Sequence, residues 1–492
     1  MAEQAHKHAQ NEGNQGAVWN RIGFWAGPLL FLFLWLGVRP AGMSQEAIAV
    51  MAVTVWISIW WISESVPLPV TSLLPIILFP LLKVSAIGAT TSAYGHPLVF
   101  LYIGGFLLAI AIEKTGLHNR IAINIIRSMG VKLHMIILGF MISTAFLSMW
   151  ISNTATAVMM LPIGLAIIKV AAGTENEYTT RFNKALMLAI AYAASIGGVA
   201  TLIGTPPNLV LAGVIRDMYQ TEISFLQWFM VGFPLAVVLL LICWFYLTRI
   251  GFPLGQEILH GGHEEMNKRH AGLGMMSWAE KSVTVVFVTI ALAWICRSFI
   301  LQKFIPGIDD TIIAIAGGII LFLLPAGNGK GKGILVWEDA TKLPWGIILL
   351  FGGGMALADA FESSGLALWI GGQMTGLSVL GVFLVILLVV AIVNFLTEFT
   401  SNLATVTMIL PVLAPIAVSA GIHPFMLMVA ATMAASCGFM MPAGTPPNAI
   451  AFGSGYLRIT DMIKAGFIMN VISILLITVL IYFLLENLWH LL

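Results

Sequence analysis

Charge is scarce in this sequence. Only 9% of its 492 residues are Asp, Glu, Lys or Arg, whereas a water-soluble domain carries about a quarter. That scarcity excludes an ordinary soluble enzyme. The 23 basic residues are balanced by 22 acidic ones, which leaves no excess of positive charge to grip nucleic acid. Cysteine is scarcer still: Cys243, Cys296 and Cys437 all fall in apolar segments, which excludes a disulfide framework and reads as buried thiols. No Asn-x-Ser/Thr sequon occurs, in keeping with a bacterial inner membrane. The first 22 residues are polar, with no apolar run directly behind a basic start, so no cleaved signal peptide is expected. The apolar segments hold no nucleophile with a base and no metal cluster, which excludes an intramembrane enzyme. They also lack the continuous polar lining of a channel.

What the chain has in abundance is oil. Hydrophobic residues make up 59% and mean hydropathy is +0.97, so the chain is an all-α polytopic protein of the lipid bilayer. Eleven spans are expected near 23–38, 47–64, 66–83, 96–113, 185–215, 225–248, 280–299, 310–325, 344–362, 425–456 and 465–486. Two uncharged stretches remain, near 133–168 and 370–420. The first is too long for one crossing, yet its flanks Lys132 and Lys169 are alike, so it must enter and return, as a re-entrant hairpin or as two spans. With the N-terminus cytoplasmic and the C-terminus outside, all but five of the 23 basic residues (Arg39, Lys83, Arg216, Arg297 and Lys303) lie inside, as the positive-inside rule requires. The expected organisation is an N-terminal segment and first helix (1–43), a first repeat (44–248), a cytoplasmic linker (249–279) and a second repeat (280–492).

The chain repeats itself. "SNTATAVMMLP" (152–162) and "SNLATVTMILP" (401–411) agree at seven of eleven positions, 249 residues apart, and "GGFLLAIAIEKTGL" (104–117) meets "GGMALADAFESSGL" (353–366) at the same spacing. "GTPPN" occurs at 204–208 and again at 444–448. Five crossings plus one returning stretch per copy turn the second copy upside down, the inverted repeat of secondary transporters, whose substrate site lies between the repeats.

Both motifs interrupt helices, and interrupted backbone survives in a bilayer only where it is buried in protein or lines a cavity. Ser152 and Asn153 suit the end of one hairpin arm and the start of the next. Gly204 breaks a helix, Thr205 suits the cap of the next, and Pro206 and Pro207 suit its first turn; Gly444 to Asn448 repeat the pattern. Four helix N-termini thus offer free N–H groups and partial positive charge to an anion. No Lys or Arg accompanies them, so a buried dianion needs mobile cations as partners. Ser148 lies one turn before Ser152 and Thr397 one turn before Ser401, giving each copy two hydroxyls on one helix face. Two matching cation sites then flank one anion site.

Twin "SNT"-type motifs, twin "GTPPN" breaks and "TEFTSN" (397–402) closely resemble the divalent anion:sodium symporter family, the sodium-coupled dicarboxylate carriers, from about residue 44 onward. The resemblance implies a homodimer, each protomer with a fixed scaffold and a transport domain that moves like an elevator, and re-entrant hairpins tipped by the Ser-Asn motifs. It implies Na+-coupled symport of a C4 dicarboxylate (succinate, malate or fumarate) into the cell, with an exchanger or a carrier of citrate, tartrate or sulfate as the alternatives. It assigns the anion to Ser152, Asn153, Thr154, Ser401 and Asn402, with Thr205 and Thr445 close by. It assigns sodium to Ser148, Ser152, Asn153 and Gly204 in one half and to Thr397, Ser401, Asn402 and Gly444 in the other. Leu403 departs from the pattern, standing where Thr154 stands in the first copy; it either touches the substrate or packs. Glu398 is a functional candidate or a structural partner to a broken backbone. The histidines of "HGGHEEMNKRH" (260–270) belong to a polar loop rather than a metal site.

Overall fold

The computed structural model describes residues 2–171, 177–259, 261–327, 332–373 and 381–489. His260 and residues 374–380 of the second uncharged stretch lie outside them. Among the described residues the regular elements are helices, with two isolated bridges, Lys132 to Ile258 and Pro325 to Gly333. A chain in lipid must satisfy its backbone within each segment, and helices do so.

Helix α1 (Ala2–Gly37) packs against α2 (Gln45–Ser63), whose first turn is capped by Ser44 accepting from Ala47 N at 3.0 Å. The span expected at 66–83 is not one helix. It breaks into Leu68–Thr71 and Leu74–Leu81, because Pro75 has no N–H and its ring clashes with the preceding turn. Then come α3 (Pro97–Thr115), α4 (Leu117–Ser128), the paired α5 (Leu133–Ser148) and α6 (Asn153–Ala171), the interrupted pair α7 (Glu177–Val199) and α8 (Pro206–Tyr219), and α9 (Phe225–Phe245). Helix α10 (Gly262–Gly272) lies in the linker, and α11 (Trp278–Cys296) and α12 (Asp310–Leu323) follow. The earlier order then returns: α13 (Trp345–Ser363), α14 (Leu366–Gln373), consecutive α15 (Val382–Leu396) and α16 (Asn402–Ser419), interrupted α17 (Pro424–Ala435) and α18 (Pro446–Gly453), and α19 (Ile459–Leu480).

By length and composition, nine helices among the described residues could cross a bilayer, α6 and α16 included. The 310–325 span is realised as the shorter apolar helix α12, and 425–456 is split into α17 and α18. Small residues let helices close: a Cβ on Gly104 of α3 would stand 2.5 Å from the carbonyl carbon of Ala314 in α12. Helix α7 is buried on every side from Ala185 to Val199, the mark of a central helix. The halves interlock around it: α8 packs on α16, and α18 packs on α6 and α7. Cys243 and Cys437 are buried free thiols, whereas Cys296 is partly exposed.

Candidate functional site

A short non-helical turn separates the two helices of each stretch, 149–152 between α5 and α6 and 397–401 between α15 and α16. Ser152 begins α6 as a cap, its Oγ accepting from Ala155 N at 3.3 Å, while Ser401 precedes α16 without a side-chain cap bond. Beside each turn lies an interrupted helix, 200–205 and 436–445. The expected cap by threonine holds in one copy only. Thr445 Oγ1 accepts from Asn448 N at 3.4 Å, but the buried Thr205 makes no such bond.

Where turn meets break, each half gathers three oxygens. Ser148 Oγ lies 2.8 Å from Asn153 Oδ1 and 2.6 Å from the carbonyl of Ala194. Thr397 Oγ1 lies 2.7 Å from Asn402 Oδ1 and 2.9 Å from the carbonyl of Ala435. Both hydroxyls are fully buried. A hydroxyl has one hydrogen and cannot satisfy two acceptors at full strength, so lone pairs converge in each trio and fit a small hard cation. The structure therefore brings together the expected pairs Ser148 with Asn153 and Thr397 with Asn402. It adds two carbonyls, of Ala194 and Ala435, that side-chain chemistry could not reveal. A signal was present: "AAS" stands at 193–195 and at 434–436.

Gly204 and Gly444 sit at the ends of the breaks, where side chains are excluded. A Cβ on Gly204 would lie 2.6 Å from the carbonyl oxygen of Gly198, and one on Gly444 would lie 2.9 Å from Glu398 Oε2.

Turn and break are clasped in both halves, but with different chemistry. In the first, Thr201 Oγ1 donates to the carbonyl of Met149 at 2.5 Å. In the second, Glu398, in the place of Met149, accepts from Met440 N at 2.9 Å, Met441 N at 2.8 Å and Asn470 Nδ2 at 2.7 Å. Glu398 is 1% exposed; three donors satisfy its carboxylate, which makes it the partner of the broken backbone.

The surroundings are uneven. Ser152, Asn153, Ser401 and Asn402 are half-buried, and Thr154 is exposed, whereas Leu403 is 6% exposed and packs in the apolar core. The first break is buried throughout. Around the second, Ala443, Pro446 and Ala449 are exposed, as are Thr154, Val158, Pro162 and Lys169 of α6. That open face runs from the first turn to the basic end of α6. No Lys or Arg occurs in 148–156, 194–208, 397–405 or 435–448, so helix ends, hydroxyls and amides are what an anion would meet there.

Comparison with known proteins bears directly on this arrangement. The chain is 45% identical over 471 residues to a sodium-dependent dicarboxylate transporter, SdcS, of Staphylococcus saprophyticus, covering 94% of this chain and 91% of that one. It is 46% identical over 470 residues to SdcS of Staphylococcus aureus strain RF122, covering 94% and 90%. Two solved structures share the fold at low identity. The YdaH transporter of Alcanivorax borkumensis matches with a TM-score of 0.58 at 13% identity, covering 82% of this chain and 88% of that one. MtrF of Neisseria gonorrhoeae matches with a TM-score of 0.55 at 14% identity, covering 92% and 96%. Residues 21–491 match the family model described as the sodium:sulfate symporter transmembrane region, and the chain belongs to that family of membrane transporters.

Proposed function

We propose that this protein carries a C4 dicarboxylate (succinate, malate or fumarate) into the cell together with sodium. The observation that carries the reading is the pair of oxygen trios, each with one hydroxyl hydrogen for two acceptors, set in motif segments that hold no Lys or Arg. A dianion bound there without sodium would be buried among dipoles alone, at a cost of several kcal/mol; sodium at both trios offsets it. The names of the staphylococcal relatives point the same way.

In this reading Ser152, Asn153, Thr154, Ser401 and Asn402, with Thr205 and Thr445 nearby, hold the two carboxylates. Ser148, Ser152, Asn153 and Gly204 serve one sodium, and Thr397, Ser401, Asn402 and Gly444 serve the other, joined by the carbonyls of Ala194 and Ala435. The hairpins are re-entrant, the halves are inverted repeats, and the protein works as a homodimer in the bacterial inner membrane, N-terminus cytoplasmic and C-terminus outside. Hairpins and breaks move as one body against a scaffold containing α3, α12 and α13.

A second reading, sulfate in place of a dicarboxylate, is favoured by the family's description. One experiment separates them: uptake of labelled succinate, sulfate and citrate into proteoliposomes in sodium, potassium or choline medium. Succinate uptake that needs sodium is expected. Equal uptake in all three media, or uptake of sulfate alone, would overturn the proposal.

A further inference from the structure

Helices α7 and α17 end inside the protein, so their last carbonyls need donors from elsewhere. In the first half, Trp228 Nε1 donates to the carbonyl of Val199 at 2.9 Å, and Asn208 Nδ2 donates to those of Gly198 at 3.2 Å and Thr201 at 2.8 Å. In the second, Asn448 Nδ2 donates to the carbonyls of Gly438 at 3.3 Å and Met441 at 3.1 Å. Asn208 and Asn448 close the twin "GTPPN" motifs, and both are fully buried. Each spends both amide hydrogens on carbonyls ten and seven residues back. Turning either amide over would set its oxygen against two carbonyl oxygens, so the orientation is fixed by chemistry. The Oδ1 of each has no hydrogen-bond partner among the described residues, so the donated pair is what anchors the amide.

The glycine held in each half is also the surface on which a cation-site residue rests. A Cβ on Gly198 would lie 2.3 Å from Asn153 Oδ1. One on Gly438 would lie 3.2 Å from Thr397 Cγ2. The rest of the clasp diverged between the halves, Thr201 against Met441 and Met149 against Glu398, yet this amide bridge is the same in both. We propose that Asn208 and Asn448 are positioning residues for the two cation sites, each pinning a glycine of the break against a cation-ligand side chain and so setting the span of its oxygen trio. The proposal rests on the sodium-coupled reading above.

The test uses full-length protein in proteoliposomes, with Asn208→Ala and Asn448→Ala made separately. Two quantities are read: the sodium concentration giving half-maximal succinate uptake, and the rise in melting temperature that sodium produces in detergent. Each variant is expected to need roughly tenfold more sodium, the size of effect that loss of a buried hydrogen bond produces. Its succinate KM at saturating sodium should change less than twofold, and its sodium-induced rise in melting temperature should shrink. A merely structural role would lower the sodium-free melting temperature and leave that sodium-induced rise intact. Should the alanine variants fail to fold, the nearly isosteric Asn208→Asp and Asn448→Asp carry the same expectation. Wild-type uptake that depends on sodium beside variants with unshifted sodium requirement would overturn this proposal alone. Wild-type protein indifferent to sodium would overturn the transport reading and this proposal together.

Discussion

Lone pairs left over at a buried hydroxyl are the most informative feature at the scale of single residues. Ser148→Ala and Thr397→Ala each delete the oxygen at the centre of a trio without touching Ser152 or Ser401, so each should raise the half-saturating sodium concentration about tenfold or more. Uptake titrated against sodium at saturating succinate measures it, and Thr397→Ser, which keeps the oxygen, should stay near wild type. Glu398→Gln sets an amide NH2 against backbone donors that a carboxylate now satisfies. With charge-assisted bonds at about 1.5–3 kcal/mol each, the variant should unfold at distinctly lower temperature in a thermal melt. Leu403 lies in the core while Thr154 is exposed. Thr154→Leu should therefore weaken binding of every dicarboxylate tested, and Leu403→Thr should lower stability while leaving the ranking of succinate, malate and citrate unchanged. A changed ranking in competition assays would put Leu403 against the substrate.

At the scale of elements, the division of 133–168 into two helices was legible because so long an uncharged stretch, with a lysine on either flank, exceeds one crossing. The breaks were legible because glycine followed by Thr-Pro-Pro stops one helix and starts another. The expected span at 66–83 was not, since hydropathy is blind to what Pro75 does to a hydrogen-bonded turn. The cap at Thr205 failed for a related reason: the residue type permits a bond, and packing decides whether the rotamer makes it. The carbonyls of Ala194 and Ala435 had no side-chain signature at all, and only the duplicated "AAS" hinted at them. One close approach has no counterpart in the second copy, where Cys437 stands in the place of Gly197. A Cβ on Gly197 would lie 2.3 Å from the carbonyl oxygen of Ala145. Gly197→Val should pry α5 from α7 at a cost of about 1–3 kcal/mol, seen as a lower melting temperature and a higher half-saturating sodium concentration.

For the whole molecule, the interlocking of the halves decides what can move. Helix α8 packs on α16 and α18 packs on α6, so each motif-bearing turn is joined to the other half's interrupted helix. The clasps of Thr201 to Met149 and of Glu398 to Met440 and Met441 tie each hairpin to its own break as well. These ties support the proposed elevator, in which a site built from all four segments would travel intact. The exposed face of α6 supplies a test. Val158 is 53% exposed and lies one turn beyond Thr154, on the open side that leads to Lys169. In a background lacking Cys243, Cys296 and Cys437, Val158→Cys should react with a membrane-impermeant thiol reagent from the Lys169 side when sodium and substrate are absent. Adding both should slow that labelling and make the thiol reactive from the opposite side, since a body that moves as a unit exchanges one exposure for the other. Labelling confined to one side under every combination of sodium and succinate would rule the elevator out and leave local opening of a hairpin as the way in.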